Sequence, residues 1–260
     1  MCFIIDTTKV VEVFCEIDDF CLQVKEYLTT HPLPEGLAPR HPAGRKPSLS
    51  ESEVLTILVL YHLSGFKCFE YYYERLVLGE LRSYFPRAVS YTHFLELARQ
   101  ALLHAFLLAH YRAGLWQRSD HYDIDSKKLP VCDNRRIHSH RVFADMASRG
   151  KGSTGWFYGL KLHLVTNEHS QLVRFLITPA NVADNNPKVL SFLLSGLKGK
   201  CYGDKGYLTS LFEELLEEGL HLVTKVRRNM KNMLLTLQDK LNLLKRGSIE
   251  AVNDILMRSL

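Results

Sequence analysis

The sequence predicts an α/β protein in which a helical N-terminal region is followed by a mixed sheet flanked by helices. Three observations carry this prediction. Apolar residues recur at the helical period through most of residues 4–112. Two segments of strand character, Trp156–Val165 and Leu172–Ile177, surround a polar turn and indicate an antiparallel hairpin. After this hairpin, short apolar runs alternate with helical patterns, which is the order expected of an α/β layer structure.

The helical region divides into several predicted helices. The first lies in residues 4–30 and ends at the Pro- and Gly-rich segment 31–47, because proline cannot continue a helix. Ser50 and Glu53 have the spacing of a capping box, so a second helix is expected to begin there. Two more helical patterns follow, at 67–82 and 91–112. Short helices of this kind fit a helix-turn-helix-like DNA-binding module and fit a plain helical bundle equally well.

The pattern changes from helical to extended at Tyr122, where the first strand begins; Asp125 is expected to end it. Downstream of the hairpin we predict a helix at 182–194, a strand at 200–203, a helix at 208–218, a strand at 221–226 and a final helix at 238–256.

Composition places the chain among ordinary folded proteins, with 46% hydrophobic and 23% charged residues. The net charge of +5 is unevenly distributed: residues 1–120 hold 12 Lys and Arg against 14 Asp and Glu, and residues 121–260 hold 21 against 14. A basic C-terminal half suits a polyanionic substrate such as nucleic acid, although a solvated basic face is an equal alternative. The six cysteines lack the short paired spacings of zinc or redox sites, and no apolar run is long enough for a membrane span.

Three acidic residues stand where such a sheet would bring them together. Asp125 and Asp204 each follow a predicted strand, and Glu250 lies on the last predicted helix. Carboxyl ends of strands face a crevice, and three carboxylates there can hold a pair of Mg²⁺ ions for phosphoryl transfer. Each residue alone has a plainer explanation as a helix cap or a solvated side chain, so only the set is informative. Arg246, one helical turn before Glu250, is expected to share its face.

Several other groups have two interpretations. Asp184 is either part of a site loop or the cap of the helix that starts nearby. A Gly- and Ser-containing segment between the first two strands reads as a flexible, phosphate-contacting loop, and a second basic group follows the 221–226 strand; either could also be a solvated turn. The basic residues of these two groups are Arg135, Arg136, Arg141, Arg149 and Lys151, and Lys225, Arg227, Arg228 and Lys231. Trp156 and Tyr158 are expected in the sheet core rather than as base-stacking groups, and His163 is expected to be structural.

The order of these motifs resembles a known family. Asp125-Ser126, the segment Tyr158–His163, the segment Tyr202–Tyr207, and Arg246 with Ile249-Glu250 are similar to the DDE transposases of bacterial insertion sequences, most closely the nine-eighty-two family. The resemblance runs through most of the chain, including its helical N-terminal part.

The resemblance implies a ribonuclease-H-like DDE catalytic domain at 117–260 and a helical N-terminal region at 1–116 that is a candidate DNA-end-binding module. Asp125, Asp204 and Glu250 would bind two Mg²⁺ ions, with Mn²⁺ as a substitute, for DNA cleavage at transposon ends and strand transfer to target DNA. The implied partners are double-stranded DNA and a second copy of the chain, in a nucleoid-associated cytoplasmic location and without a membrane. Candidate DNA contacts are Arg135, Arg136, Lys225, Arg227, Arg228, Lys231 and Arg246.

Two departures from the family pattern bear on activity. Leu243 and Met257 stand where related enzymes carry a tyrosine and a lysine beside the glutamate. The chain also stops at Leu260, where relatives continue, which predicts a truncated last helix. A catalytically inactive, truncated transposase that only binds DNA is therefore one alternative, and a nuclease of the same fold is another.

Overall fold

The computed structural model describes most of the chain in two compact units. The described residues are 6–32, 47–115, 119–141, 143–152, 155–207, 210–224 and 236–258. One unit ends at Ala109, and the other runs from His110 to Arg258. Each unit has its own hydrophobic core.

The first unit is helical, as the sequence predicts. Its elements are α1 (Thr7–Thr30), α2 (Glu51–Ser64), α3 (Phe69–Tyr72), a π-helical stretch (Tyr73–Glu80), α4 (Tyr91–Gln100) and α5 (Leu102–Gly114), the last of which crosses into the second unit. The predicted capping box is confirmed: the Ser50 hydroxyl accepts from the Glu53 amide at 3.1 Å, and the Ser50 amide donates to the Glu53 carboxylate at 2.7 Å. These bonds satisfy two amides at the helix start that would otherwise lack partners.

Two of the predicted helices are interrupted. The 91–112 pattern is broken at the buried Ala101, which separates α4 from α5. The 67–82 pattern widens into the π-helix after Tyr72. Tyr72 and Tyr73 are both fully buried, and their hydroxyls donate to the carbonyls of Ile57 and Val89. Hydrophobic periodicity could not reveal these breaks, because tertiary hydrogen bonds and packing decide them.

The second unit contains a six-stranded mixed sheet, so the predicted fold class is confirmed. Its strands are β1 (His121–Cys132), β2 (Ser148–Gly152), β3 (Gly155–Asn167), β4 (Leu172–Pro179), β5 (Gly199–Gly203) and β6 (Leu220–Thr224). The order is β2-β3-β1-β5-β6, with β4 also paired to β3. Strands β1 to β4 pair antiparallel, as the predicted hairpin requires, whereas β5 is parallel to both β1 and β6.

Helices cover both faces of this sheet. On one face, α6 (Pro187–Leu194) and α7 (Phe212–Glu217) pack against a core that includes Ile124 and Val165. On the other face, α9 (Gly247–Arg258) packs its Ile249 against Leu164. Helix α8 (Leu237–Lys245) packs its Leu243 against Tyr202 of β5. Successive residues of a strand point to opposite faces, so this division also tells which face each site residue occupies.

Two predictions about the second unit are wrong. The segment expected to be a flexible loop contains β2, which pairs with β3 along its whole length and includes Arg149 and Lys151. The single final helix is two helices, because Arg246 ends α8 and α9 begins at Gly247. Helical periodicity continues through this junction, whereas the change of direction depends on what each helix packs against.

Within the described residues, no single helix is long and apolar enough to cross a membrane. The pair Glu51–Ser64 and Phe69–Glu80, bent by 108°, meets the length and composition test only when the two are taken together.

His163 is the structural histidine that the sequence predicts. Its side chain is fully buried in β3, and its Nε2 is 2.9 Å from the Thr178 hydroxyl. Burial lowers the pKa of His163 to about 4, with a further lowering from Lys161 that the Asp184 carboxylate opposes. The ring is therefore neutral in the folded protein at neutral pH.

We expect this histidine to make the fold sensitive to mild acid. Between its ordinary pKa of 6.5 and its folded pKa of about 4, the unfolded chain binds a proton that the folded chain does not. The free energy of unfolding should therefore fall as the pH decreases through this window, by about 3 kcal/mol at most.

Urea unfolding at several pH values between 7 and 4 measures the effect. His163→Gln should flatten the pH dependence, whereas His169→Gln, at a side chain that is 73% exposed, should leave it unchanged. Equal slopes in wild type and His163→Gln would contradict the assignment.

Candidate functional site

Asp125 lies on β1 at the point where one neighbouring strand ends. The structure corrects the expectation that Asp125 terminates the strand, because β1 continues to Cys132. The parallel pairing of β1 with β5 ends just before Asp125, because the last residue pair of the two strands is Asp123 with Tyr202. Asp125 is opposite Leu164 of β3, so it is on the sheet face that α9 covers. Its side chain is 25% exposed, which leaves a carboxylate partly open to solvent on an otherwise packed face.

Asp204 follows β5 directly and is exposed. Asp125 lies two residues after Asp123 on β1, and Asp204 lies two residues after Tyr202, just past the end of β5. The sheet register therefore brings both carboxylates to the same end of two adjacent strands. Glycine at position 203 suits the close packing beside it, since a Cβ atom there would be 3.2 Å from side-chain carbons of Ile124 and Tyr207. The Asp204 side chain accepts a hydrogen bond from the Lys205 amide at 2.7 Å.

Helix α9 brings Glu250 to the same face of the sheet. Its residues Ile249 and Asn253 are buried, and the Asn253 amide donates to Asp125 Oδ2 at 2.7 Å. Glu250 lies between these two contacts, one helical turn before Asn253, and is itself exposed. Its negative charge acts on Asp125, whose pKa it raises. Asn253 was not identified from the sequence, although its spacing from Glu250 could have indicated it.

Arg246 is the positive partner of Asp125. Its guanidinium donates to the Ile124 carbonyl at 2.7 Å and lies 3.8 Å from Asp125 Oδ1. Burial raises the pKa of Asp125, the Arg246 charge opposes this, and the carboxylates of Glu250 and Asp184 raise the pKa further. The pKa of Asp125 is raised overall, because holding a negative charge at this position costs free energy. Only 8% of Arg246 is exposed, which places its head group on Asp125 rather than on the surface.

The donor chemistry of this face suits a divalent cation of the Mg²⁺ type. Carboxylate oxygens, as on Asp125, Asp204 and Glu250, are the ligands that such an ion prefers, and added positive charge would stabilise the Asp125 carboxylate, whose pKa burial and the neighbouring carboxylates raise. In the part of the chain that the structure describes, no group of three or more His, Cys, Asp or Glu side chains is arranged to hold an ion. One or two carboxylates are sufficient when water and substrate phosphates complete the shell, which is a common arrangement for Mg²⁺.

Residues 117–259, more than half of the chain, match the sequence profile of a family described as the transposase DDE domain. The chain belongs to this family. No curated protein and no solved structure matches the chain significantly. Membership makes the protein a transposase and, in general terms, a DNA-processing enzyme of a family that uses divalent metals. The mixed sheet with flanking helices is consistent with the ribonuclease-H-like fold of such transposases.

The transposase has a second polar network on the opposite face of the sheet. Asp184 Oδ1 accepts from the Ser126 hydroxyl at 2.9 Å and from Lys161 Nζ at 3.0 Å, and Lys161 also donates to the Val182 carbonyl. The alternative that Asp184 caps a helix is wrong, since Asn186 caps α6. Lys161 was not singled out in the sequence. A buried lysine that tethers Asp184 fixes the loop between β4 and α6 close to Asp125.

An ion pair between the buried Asp239 carboxylate and the partly exposed Lys200 fixes α8 of the transposase to the sheet. Asp239 Oδ1 accepts from Lys200 at 2.7 Å and from the Tyr202 hydroxyl at 2.9 Å. Burial raises the pKa of Asp239, but the hydrogen bonds from Lys200, Thr236 and Tyr202 outweigh it and hold the pKa at about 2. These contacts, with Leu243, anchor the helix that leads into Arg246.

The remaining candidate residues of the transposase are placed as follows. Arg135 and Arg136 are exposed on a short 3₁₀ helix, Asn134–Ser139. The expectation that Trp156 lies in the sheet core is wrong, because the residue is 64% exposed. Four candidates fall outside the described residues: Lys225, Arg227, Arg228 and Lys231.

Proposed function

We propose that this transposase cleaves DNA at the ends of a mobile element and joins the freed ends to target DNA, using divalent metal ions. The feature that supports the proposal is the Asp125 carboxylate, which Asn253 and Arg246 contact on the sheet face that α9 covers and whose pKa burial and the Glu250 charge raise. Asp204 follows β5, the strand that pairs with β1. Mg²⁺ is the proposed ion, with Mn²⁺ as a substitute.

Each residue of the site has a distinct part in this proposal. Asp125 and Asp204 would hold the ion with their carboxylates, and Glu250, on the exposed side, would complete the set when DNA is bound. When bound, the ion supplies the positive charge that in-line phosphoryl transfer needs at the attacked phosphate. Asn253 and Arg246 orient the Asp125 carboxylate through the contacts on Oδ2 and Oδ1. Because Asn253 donates to one oxygen and Arg246 approaches the other, the carboxylate has little rotational freedom.

The proposed partners are double-stranded DNA, as transposon end and as target, and a second copy of the chain. We propose that the helical region 1–116 binds the ends and that Arg135 and Arg136 contact phosphates, because both are exposed. The four basic residues outside the described part of the chain, Lys225, Arg227, Arg228 and Lys231, remain proposals from the sequence alone.

An assay on duplexes that carry the inverted repeats flanking the gene tests the proposal. We expect cut and joined products with Mg²⁺ or Mn²⁺ and none with a chelator. Asp204→Asn and Glu250→Gln should each abolish both products while DNA binding persists. Cutting without joining would instead favour a nuclease of the same fold.

A protein that only binds DNA is a second candidate. It is favoured by Leu243 and Met257, which stand where related enzymes carry a tyrosine and a lysine beside the glutamate. Binding without any cut product, in either metal, would establish this alternative and overturn the catalytic proposal.

A further inference from the structure

Trp156 is an exposed tryptophan at the start of β3. It is 64% exposed, although tryptophan is usually largely buried because of its apolar area. Lys151, its partner across β2 and β3, places its ammonium group 5.9 Å from the centre of the indole ring. The backbone carbonyl of Trp156 accepts from the Asn134 side chain at 2.9 Å, which fixes the strand on which the ring is carried. The ring is thus held in place while most of its surface stays open.

Basic residues lie on the segments next to this ring. Lys151 and Arg149 of β2 pair with Trp156 and Tyr158, so they occupy the same sheet face, and both are exposed. Arg135 and Arg136 are on the 3₁₀ helix that contacts the Trp156 backbone through Asn134. We call the set of Trp156, Arg149, Lys151, Arg135 and Arg136 the hairpin surface.

The segment 126–161, which contains the hairpin surface, has a higher net positive charge than the whole molecule. Residues 126–161 contain eight Lys and Arg and two Asp, a net charge of +6, whereas the chain as a whole carries +5. One of the two acids, Asp133, caps the 3₁₀ helix by accepting from the Arg135 amide. An aromatic ring among cations is the combination that binds nucleic acid, because phosphates meet the cations and bases stack on the ring.

Trp156 is on the same sheet face as Asp125. Trp156 and Leu164 are eight residues apart on β3, and Leu164 is opposite Asp125. Alternation places both side chains on one face, at a separation of about 27 Å along the strand. This distance corresponds to about eight base pairs of duplex DNA.

We propose that Trp156 stacks on a DNA base that has left the duplex stack, about eight base pairs from the phosphate at Asp125, with Arg149 and Lys151 contacting the flanking phosphates. This inference rests on the proposed function for the identity of the partner. It assigns a base-contacting role that is separate from the carboxylates and can be measured without catalysis.

Tryptophan fluorescence reports the stacking directly. The chain has two tryptophans, so Trp116→Phe leaves Trp156 as the single emitter. We expect saturable quenching of its emission when a 30-base-pair duplex is added to this full-length variant without metal. The midpoint should match that of fluorescence anisotropy measured on a labelled duplex. Binding without quenching would overturn the proposal.

Substitutions separate stacking from simple charge attraction. Trp156→Leu should weaken duplex binding about 5- to 100-fold, the range seen when a base-stacking aromatic is removed, and Trp156→Phe should recover part of the loss. Lys151→Gln should instead reduce the slope of log affinity against log salt by about 0.9, as expected for one lost phosphate contact. Equal affinity of Trp156→Leu and wild type would contradict the stacking role.

Phe192→Leu is the matched control. Phe192 is 48% exposed on α6, a helix that packs against the opposite face of the sheet, so its substitution should leave duplex affinity unchanged. Thermal unfolding of each variant checks folding, and Trp156→Leu should unfold like wild type because the ring is mostly exposed. An equal loss of affinity in both variants would show that the effect is not specific to Trp156.

The two proposals can fail separately. If Asp125→Asn abolishes cutting while Trp156 is still quenched by DNA, both stand. If cutting depends on Asp125 but Trp156 is not quenched, the base contact fails and the proposed function remains. If Trp156 is quenched but no variant or metal gives cutting, the protein binds DNA through this surface without the proposed chemistry.

Discussion

Asp125→Asn is expected to reduce DNA cutting and joining by about 10²–10³-fold or more, because the substitution removes the charge on which the proposed metal site depends. The amide has nearly the same shape as the carboxylate and keeps an oxygen that can accept from Asn253. The buried Arg246 charge loses its negative partner, so the free energy of unfolding should fall, while the folded variant should keep its duplex binding. Product formation per hour on end-bearing duplexes in Mg²⁺, measured beside duplex affinity, separates loss of chemistry from loss of binding.

Asp254→Asn is the control for this experiment. Asp254 is also on α9, its side chain is 61% exposed, and it pairs with Lys127 at 2.9 Å. Removing this surface charge should leave cutting and joining within about twofold of wild type, as expected for an exposed ion pair. Undiminished joining by Asp125→Asn would remove Asp125 from the catalytic set.

The second large effect is expected on stability, from Arg246→Met. Methionine fills similar space but leaves Asp125 as a largely buried charge without its positive partner and removes the donor to the Ile124 carbonyl. Breaking one side of a buried ion pair typically costs about 3–5 kcal/mol. Urea unfolding at neutral pH should show a loss of this size, together with a rise in the pKa of Asp125.

Lys127→Met provides the comparison, since Lys127 joins β1 to α9 through an exposed pair with Asp254. Its cost should be below about 1 kcal/mol. The double variant Asp125→Asn with Arg246→Met should recover part of the loss, because the buried charge is gone. If Arg246→Met and Lys127→Met cost the same, the buried pair has no special part in the fold.

Local patterns predicted the elements whose causes are local. The capping box at Ser50 and Glu53 uses residues three positions apart, and the β3–β4 hairpin follows from alternation around a short turn. The acidic candidates Asp125 and Asp204 were predicted because each follows an apolar run expected to be a strand, and the structure places only Asp204 at a strand end. The prediction failed where tertiary packing overrides the local pattern. The alternation along β3 predicts that Trp156 is a core residue, but no residue that the structure describes covers most of it, and it is 64% exposed.

Other features of the site depend on residues far apart in the chain. Asn253 and Arg246 reach β1 across more than 120 positions, and Asp184 meets Ser126 across 58. The packing of α8 and α9 on the sheet creates the contacts of Arg246 and Asn253. The loop between β4 and α6 brings Asp184 to Ser126. Periodicity continues through Arg246 and gives no sign that the chain changes direction there.

The sequence by itself determined the α/β class, five of the six strands in their order along the chain and the acidic candidates, because periodicity, turn chemistry and charge are local properties. The tertiary structure alone decided that Asp125 stands inside β1 rather than at its end and that Arg246 and Asn253 hold it. It also decided that Trp156 is exposed. The physical reason is that burial and ion pairing arise when separate elements pack, and no segment contains that information alone.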